Sequence, residues 1–295
     1  MRGIMLMAYG SPQSEDDIEA YYTRILRGNR PSKEQVSRLT RRYRAVGMSS
    51  LPNVTKKQAG LLEIKLKSMG YACRTYVGMK YSKPYIKDAL LDAIGDGIEK
   101  LVCIPIAPFY SQIGTESYFD MLHDGINELK PQFRISEVRS WNMESGLIES
   151  WIEKIDAIGI EKDCIFVFSA HSLPVTEEDD LKDYVKQLLL TSDRIARHFG
   201  NKWCLAFQSA ADMPGRWLKP DVKDALTRLI NAGRRKFAMI PVGFVSDNLE
   251  TRYDIGLECT DLGNDNGVEI RMAGMPDDSE GVVSAIANAA IASMR

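Results

Sequence analysis

A chain of 295 residues with 38 Lys and Arg against 40 Asp and Glu carries a formal net charge of −2. That length suits two domains of about 150 residues each, and a balance this even, with mixed signs everywhere except Arg38 to Arg44, does not point to nucleic acid. No apolar run approaches the roughly 20 residues of a spanning helix, no signal-peptide pattern opens the chain, and the five cysteines (Cys73, Cys103, Cys164, Cys204, Cys259) contain no C-x-x-C pair. A soluble, cytoplasmic protein without a disulfide framework or a zinc site is expected.

The first apolar segment, Gly3 to Ala8, is read as a strand broken by Gly10 and Pro12, with Ser14 placed to cap a helix that opens on Glu15, Asp16 and Asp17. Helices are expected over 15–27, 32–46 and 54–69, then a strand over 71–79, a helix over 82–97, an apolar strand over 101–111, a helix over 115–129 and a strand over 134–141. The second half repeats the order. Strands are expected at 164–171, 203–209, 236–245 and 267–273, and helices at 178–199, 219–233, 247–259 and 279–293. Such alternation predicts parallel sheets covered by helices on both faces.

The halves also match locally: Met7-Ala8-Tyr9-Gly10-Ser11-Pro12 against Ser169-Ala170-His171-Ser172-Leu173-Pro174, and Ile104 to Ser111 against Ile240 to Ser246. Two similar Rossmann-like lobes follow, each a four-stranded parallel sheet flanked by helices, over 1–145 and 146–295. The last helix is free to pack back on the first lobe, and the cleft would lie between the lobes. In that arrangement Tyr9 and His171 occupy equivalent strand ends and face one another.

Ile165 to Phe168 form an apolar run that delivers His171 to the carboxyl end of a buried strand, where open α/β sheets bind ligands. A titratable ring there is either a site residue or a histidine satisfied by a loop carbonyl. On a helix over 247–259, Glu250, Asp254 and Glu258 would stack at i, i+4 and i+8, a repulsive row that serves either as a solvated face or as a path for a bound cation. Imidazole with carboxylates suits a divalent first-row metal held transiently, and it also suits proton abstraction.

The segments Met7 to Pro12, Glu15 to Tyr22 with Arg27-Gly28, Arg42 to Gly47, Ser169 to Pro174, Gln208-Ser209, Trp217 to Val222 and Pro241 to Cys259 together resemble ferrochelatases over nearly the whole chain. The likeness is greatest to the soluble branch that metallates coproporphyrin III, in which a tyrosine stands at the position of Tyr9. The resemblance implies a chelatase-like fold and a lyase of haem biosynthesis that inserts Fe²⁺ into a porphyrin, coproporphyrin III rather than protoporphyrin IX. It implies a catalytic pair, His171 and Glu250, and a metal path through Asp254 and Glu258.

Porphyrin contacts are implied at Tyr9, Arg27, Tyr43, Ser50, Lys80, Tyr110 and Trp217, with Phe109, Ile113, Trp141, Arg30 and Arg42 as further candidates. Fe²⁺ would be substrate, with no permanent cofactor and no iron–sulfur cluster. The partners are then porphyrin and ferrous iron, without nucleic acid or stable membrane insertion, in a monomer. Three departures from the family pattern stand out: Asn248 and Tyr81 in place of histidines, and the loop Gly47-Met48-Ser49-Ser50. Two other readings stay open, a sirohydrochlorin-type chelatase and a non-catalytic haem or porphyrin binder.

Overall fold

The computed structural model describes residues 1–175, 181–210 and 215–294. Strands β1 (Arg2–Ala8), β2 (Cys73–Met79), β3 (Lys100–Pro105) and β4 (Arg134–Glu137) form one parallel sheet in the order β2-β1-β3-β4. Strands β5 (Ile165–His171), β6 (Trp203–Gln208), β7 (Lys236–Ile240) and β8 (Glu269–Met272) repeat that order as β6-β5-β7-β8. β1 and β5 lie inside their sheets and are covered on both faces, which is why each reads as an unbroken apolar run without alternation.

Three of the expected strands run well past those observed. The runs over 101–111 and 236–245 leave their sheets at Pro105 and after Ile240, and the one over 134–141 ends at Glu137. The residues beyond stay apolar because Phe109, Val242 and Val245 bury their side chains without strand pairing, and hydrophobicity alone cannot separate those two fates.

Helices α1 (Ile18–Ile25) and α2 (Lys33–Val46) follow β1, and α3 (Leu51–Ser68) leads to β2. Ser32 starts α2 through a reciprocal cap with Gln35. Helices α4 (Ile86–Gly95) and α5 (Glu116–Leu129) flank the first sheet. Helix α6 (Ser145–Asp156), which the sequence reading did not anticipate, precedes β5. Helices α7 (Lys182–Phe199) and α8 (Val222–Asn231) belong to the second half. The expected start of α7 at 178–180 lies outside the described residues. Where an α-helix was expected over 247–259, Thr251–Cys259 form a π-helix that continues into α9 (Thr260–Asp265), and α10 (Glu280–Met294) closes the chain.

Helix α10 is apolar over most of its circumference, and nine of its residues are buried, leaving a narrow exposed stripe at Asn288 and Ala292. It packs against α6 and also against α3 and β3. One continuous core therefore runs from Ile4 and Leu6 through Trp151 and Ile286 to Phe166 and Phe168, joining both sheets. The α6–α10 crossing is close because it is built on glycines. A Cβ on Gly146 would overlap the Gly281 carbonyl, and one on Gly281 would overlap Ser150 Oγ and the Gly146 carbonyl.

Gly146→Val is expected to destabilise the protein by roughly 2–3 kcal/mol through overpacking, read as a lower urea midpoint. Gly60→Ala, in α3 with open space around it, serves as the control and is expected to stabilise by about 1 kcal/mol. An unchanged midpoint in Gly146→Val would contradict the crossing.

Candidate active site

The shared strand order sets the geometry. In each half the order reverses beside the inner strand, and the crevice outside the carboxyl ends at such a point is where open α/β sheets hold ligands. Tyr9 follows β1 and His171 ends β5, so the two halves place them at equivalent ends. Pairing of β2 with β1 runs on past Met79: the Lys80 amide donates to the Ala8 carbonyl (3.0 Å) and the Tyr81 amide to the Tyr9 carbonyl (3.1 Å). Lys80 and Tyr81 thereby reach the same crevice. On the other side Gly243 crosses the end of β5 so closely that a Cβ would collide with Ala170, and its amide donates to the Ser169 carbonyl (3.0 Å).

Two cavities meet at His171 and Glu250, which line both. The inner one, about 420 Å³, carries Tyr9, Tyr43, Ile106, Phe109, Tyr118 and Phe244 on its walls, with Arg27 and Lys80 among the polar lining. The outer one, about 640 Å³, lies between α2 and the π-helix and is lined mainly by charged and amide side chains.

The Nδ1 of His171 lies 2.6 Å from the Ser172 carbonyl oxygen. A carbonyl only accepts, so Nδ1 is the donor of this contact, and in that tautomer the lone pair falls on Nε2. Tyr184 Oη donates to the backbone carbonyl of His171 (3.3 Å) from α7. Glu250 stands at the N-terminal end of the π-helix, in a turn set by Asn248, whose Oδ1 accepts from the Thr251 amide (3.0 Å) while the Thr251 hydroxyl accepts from the Asn248 amide (3.1 Å). Asn248 is thus the capping residue of this helix. The Glu250 carboxylate has no hydrogen bond or ion pair among the described residues.

Across the inner chamber the phenols are held neutral. Burial raises the Tyr9 hydroxyl well above the usual range, and the charges of Tyr81 and Glu250 add to the shift. The ring is nevertheless 39% accessible through the open cleft. Burial and the Glu250 charge likewise raise Tyr43, against the pull of Arg42. Tyr9 packs edge-on against Tyr81 at 4.7 Å between centroids. Lys80 sits over the rings of Tyr9, Tyr81 and Tyr118 at 5.4, 4.9 and 4.7 Å, and its Nζ donates to Ser117 Oγ (2.6 Å). Burial lowers the Lys80 ammonium to about 8, with Asp120 opposing and Arg27 adding to that shift.

The carboxylate row is not bare, which corrects the expectation that its repulsion calls for a bound cation. Asp254 is ion-paired with Arg42 from α2 and accepts from the Ser209 hydroxyl, while Glu258 is paired with Lys223 from α8 at 2.9 Å. Burial still pushes the Asp254 carboxyl up, helped by Glu250 and Glu258 and opposed by Arg42 and Ser209. Arg252 serves a different end: its Nε pairs with Asp247 (2.6 Å) and its Nη1 donates to the Val46 carbonyl at the end of α2 (3.0 Å). Among the described residues no three His, Cys, Asp or Glu side chains come together as a metal cage.

With this geometry in hand, comparison with known proteins identifies the family. The sequence model of the ferrochelatases matches residues 1–294. The chain belongs to the ferrochelatase family. It is 35% identical over 297 residues to coproporphyrin III ferrochelatase 1 of Bacillus cereus, covering 96% of this chain and 94% of that one. It is 36% identical over 286 residues to the coproporphyrin III ferrochelatase of Halalkalibacterium halodurans, covering 93% and 91%. Among solved structures, SirB from Bacillus subtilis with Fe³⁺ superposes with a TM-score of 0.64 at 11% identity, covering 99% of this chain and 97% of that one. CbiX, described as the terminal enzyme for biosynthesis of siroheme in denitrifying bacteria, gives 0.55 at 10% identity, covering 99% and 100%. Those two show the shared fold. This ferrochelatase is a lyase-class metal chelatase that inserts iron into a porphyrin in haem biosynthesis. No helix among its described residues is long and apolar enough to cross a membrane.

The structure gathers His171, Glu250, Tyr9, Arg27, Tyr43 and Lys80 around the inner chamber, and Asp254 and Glu258 around the outer cavity. Phe109 and Ile113 also line the inner chamber and Arg42 the outer cavity, whereas Tyr110, Ser50, Trp217, Trp141 and Arg30 lie elsewhere. The Tyr110 ring lies 5.7 Å from the Arg139 guanidinium, its backbone is tied to Gln187, and it is not on the wall. Ser50 caps α3, its carbonyl accepting from Asn53 and Val54, and the neighbouring Ser49 lines the chamber in its stead. Trp217 bridges the backbone of Pro174 and lines neither cavity. Trp141 is a core residue whose Nε1 donates to the Pro105 carbonyl (3.0 Å), and Arg30 pairs with Glu19 at the surface (2.7 Å). Sequence reasoning missed Ser11, Ser111, Ser117 and Tyr118 on the chamber wall and Lys223 outside it. None of them carries a local pattern that marks it. Lys223 meets Glu258 across 35 residues of chain.

A lysine lowered to about 8 is cationic in the free site only below that pH, and a bound carboxylate favours its protonated form. Porphyrin affinity is therefore expected to fall roughly tenfold from pH 7 to pH 9, with proton uptake on binding at the upper end. Fluorescence titration with coproporphyrin checks this. Lys80→Met should bind more weakly at pH 7 and give a flat profile, and an equally steep profile in that variant would remove Lys80 from porphyrin binding.

Proposed function

We propose that this ferrochelatase inserts ferrous iron into coproporphyrin III, acting in the cytoplasm as a single chain with no permanent cofactor. The observation that carries the reading is the committed His171 ring. Its Nδ1–H is spent on the Ser172 carbonyl, and its basic Nε2 shares with the unpaired Glu250 the wall between a charged cavity and an aromatic chamber. Insertion requires Fe²⁺ to shed water and two pyrrole protons to leave. Stepwise transfer along Asp254 and Glu258 supports the first, and proton acceptance by Nε2 and the Glu250 carboxylate supports the second. The neutral Tyr9 phenol faces them from the opposite strand end and can contact the ring or the inserted metal.

Coproporphyrin is richer in propionates than protoporphyrin, and the chamber offers donors to match: the exposed Arg27, the caged Lys80 and the buried Ser11 hydroxyl, which has no partner. The named relatives are coproporphyrin III ferrochelatases, which supports the same choice. Five unpaired thiols suit a reducing compartment. The cysteines lie on separate segments, so the reading includes no iron–sulfur centre and leaves iron as substrate.

Anaerobic assay with Fe²⁺, or with Zn²⁺ as surrogate, against coproporphyrin III and protoporphyrin IX tests the proposal. Coproporphyrin should give the higher kcat/KM; the reverse order would overturn the substrate choice. His171→Ala and Glu250→Gln should each lose about a hundredfold or more in kcat. Asp254→Asn should raise the half-saturating metal concentration several-fold with kcat within about threefold. Full activity in His171→Ala would sink the mechanism.

A further inference from the structure

Among the described residues the outer cavity is lined by equal numbers of cations and anions, and this bears on the form in which iron arrives. Three arginines of α2 (Arg38, Arg41, Arg42) and Lys223 face it, against Asp221, Glu250, Asp254 and Glu258 among the described lining residues. Three of those carboxylates are engaged: Asp254 by Arg42 and Ser209, Glu258 by Lys223, and Asp221 by the first amides of α8. Described lining charges that balance, with three of the four acids already engaged, do not draw in a bare dication by field alone.

The unspent groups are mostly donors. Arg41 is exposed and has no ion pair or hydrogen bond among the described residues. Arg42 Nε is buried with no hydrogen-bond partner among the described residues. Gln208 is 1% exposed and lines the cavity; its Oε1 accepts from Ser169 Oγ (2.6 Å), while its Nε2 is unpartnered. It lies in register with His171 on the adjoining strand. A buried donor left without an acceptor is costly unless a ligand completes it. Donors along one side and free metal-binding groups, Glu250 and His171 Nε2, at the inner end form a site for a ligand that has acceptor oxygens outside and a cation inside.

We propose that the outer cavity receives Fe²⁺ as a small oxyanion chelate whose free carboxylate or phosphate oxygens dock on Arg41, Arg42 and Gln208. This rests on the inner chamber being the insertion site. As a ligand oxyanion takes Arg42 from Asp254, that carboxylate is released to the metal. Iron–oxygen bonds to the chelate break as bonds to Asp254 and Glu250 form, iron stays ferrous, and the chelating anion departs intact. The cavity volume is in the range of small-molecule sites.

The test holds free Zn²⁺ constant while citrate and total zinc rise together, with pyrophosphate as a second arm and coproporphyrin III as acceptor. The expected result is a metallation rate that climbs with the concentration of the complex in at least one arm, which also names the oxyanion class. Arg41→Glu should reduce that dependence about fivefold, the loss of one charge-assisted contact. A rate set by free Zn²⁺ alone in both arms, or an unaltered dependence in Arg41→Glu, would overturn the proposal. Equilibrium dialysis of zinc citrate and zinc pyrophosphate on the porphyrin-free protein gives a readout independent of turnover. Binding weakened by Arg41→Glu supports the chelate site even if the protein metallates no porphyrin, and absence of binding in both arms refutes it.

Discussion

The chemistry of this chain depends on one topological constraint: two parallel sheets of identical strand order, each reversing beside its inner strand, with both reversals opening on one cleft. Parallel strands deliver their carboxyl ends to a common side, so whatever residue follows β1 or ends β5 must reach the crevice. Tyr9 and His171 are those residues. The continuation of β2 past Met79 adds Lys80 and Tyr81, and the glycine at 243 lets the opposite wall approach without displacing β5. Helix α10 secures the relation between the halves, because it buries its apolar circumference against elements of both.

Within that frame, electrostatics divides the labour. The inner chamber is aromatic, and burial keeps its phenols protonated and lowers its lysine to about 8. The outer cavity holds Asp254 and Glu258 in ion pairs with Arg42 and Lys223. His171 and Glu250 sit on the boundary, one with Nδ1 committed to a backbone carbonyl, the other a carboxylate without an ion pair among the described residues. That boundary joins a cavity whose outer carboxylates are paired to a chamber with aromatic walls. The π-helix contributes by aiming Glu250 from its first turn and spreading Asp254 and Glu258 outward along the same cavity.

The pairing of the carboxylate row shows how far local patterns reach. From 250, 254 and 258 alone the row is a repulsive stripe in want of a counter-ion. Arg42 lies more than 200 residues earlier, on a helix whose own pattern is that of a solvated basic face, and Lys223 lies in the first turn of another helix. The apolar run over 101–111 was read wholly as strand although its second half is chamber wall and core, because burial looks the same in a sequence whether or not the backbone is paired. Tyr110, Ser50 and Trp217 fell near the right loops, yet the side chain facing the cavity is that of a neighbour or of no residue in the segment, since a loop's register is settled by its contacts.

What the sequence determined by itself was the alternation of strands and helices, the duplication of the lobe, the delivery of His171 to a strand end and the family, because each is written in contiguous residues whose period or motif survives without context. What only the tertiary structure decided was which charges meet. The tautomer of His171, the cage around Lys80, the pairing of Asp254 and Glu258, and the isolation of Glu250 arise from groups far apart in the chain, whose interaction falls off with distances that no sequence spacing encodes.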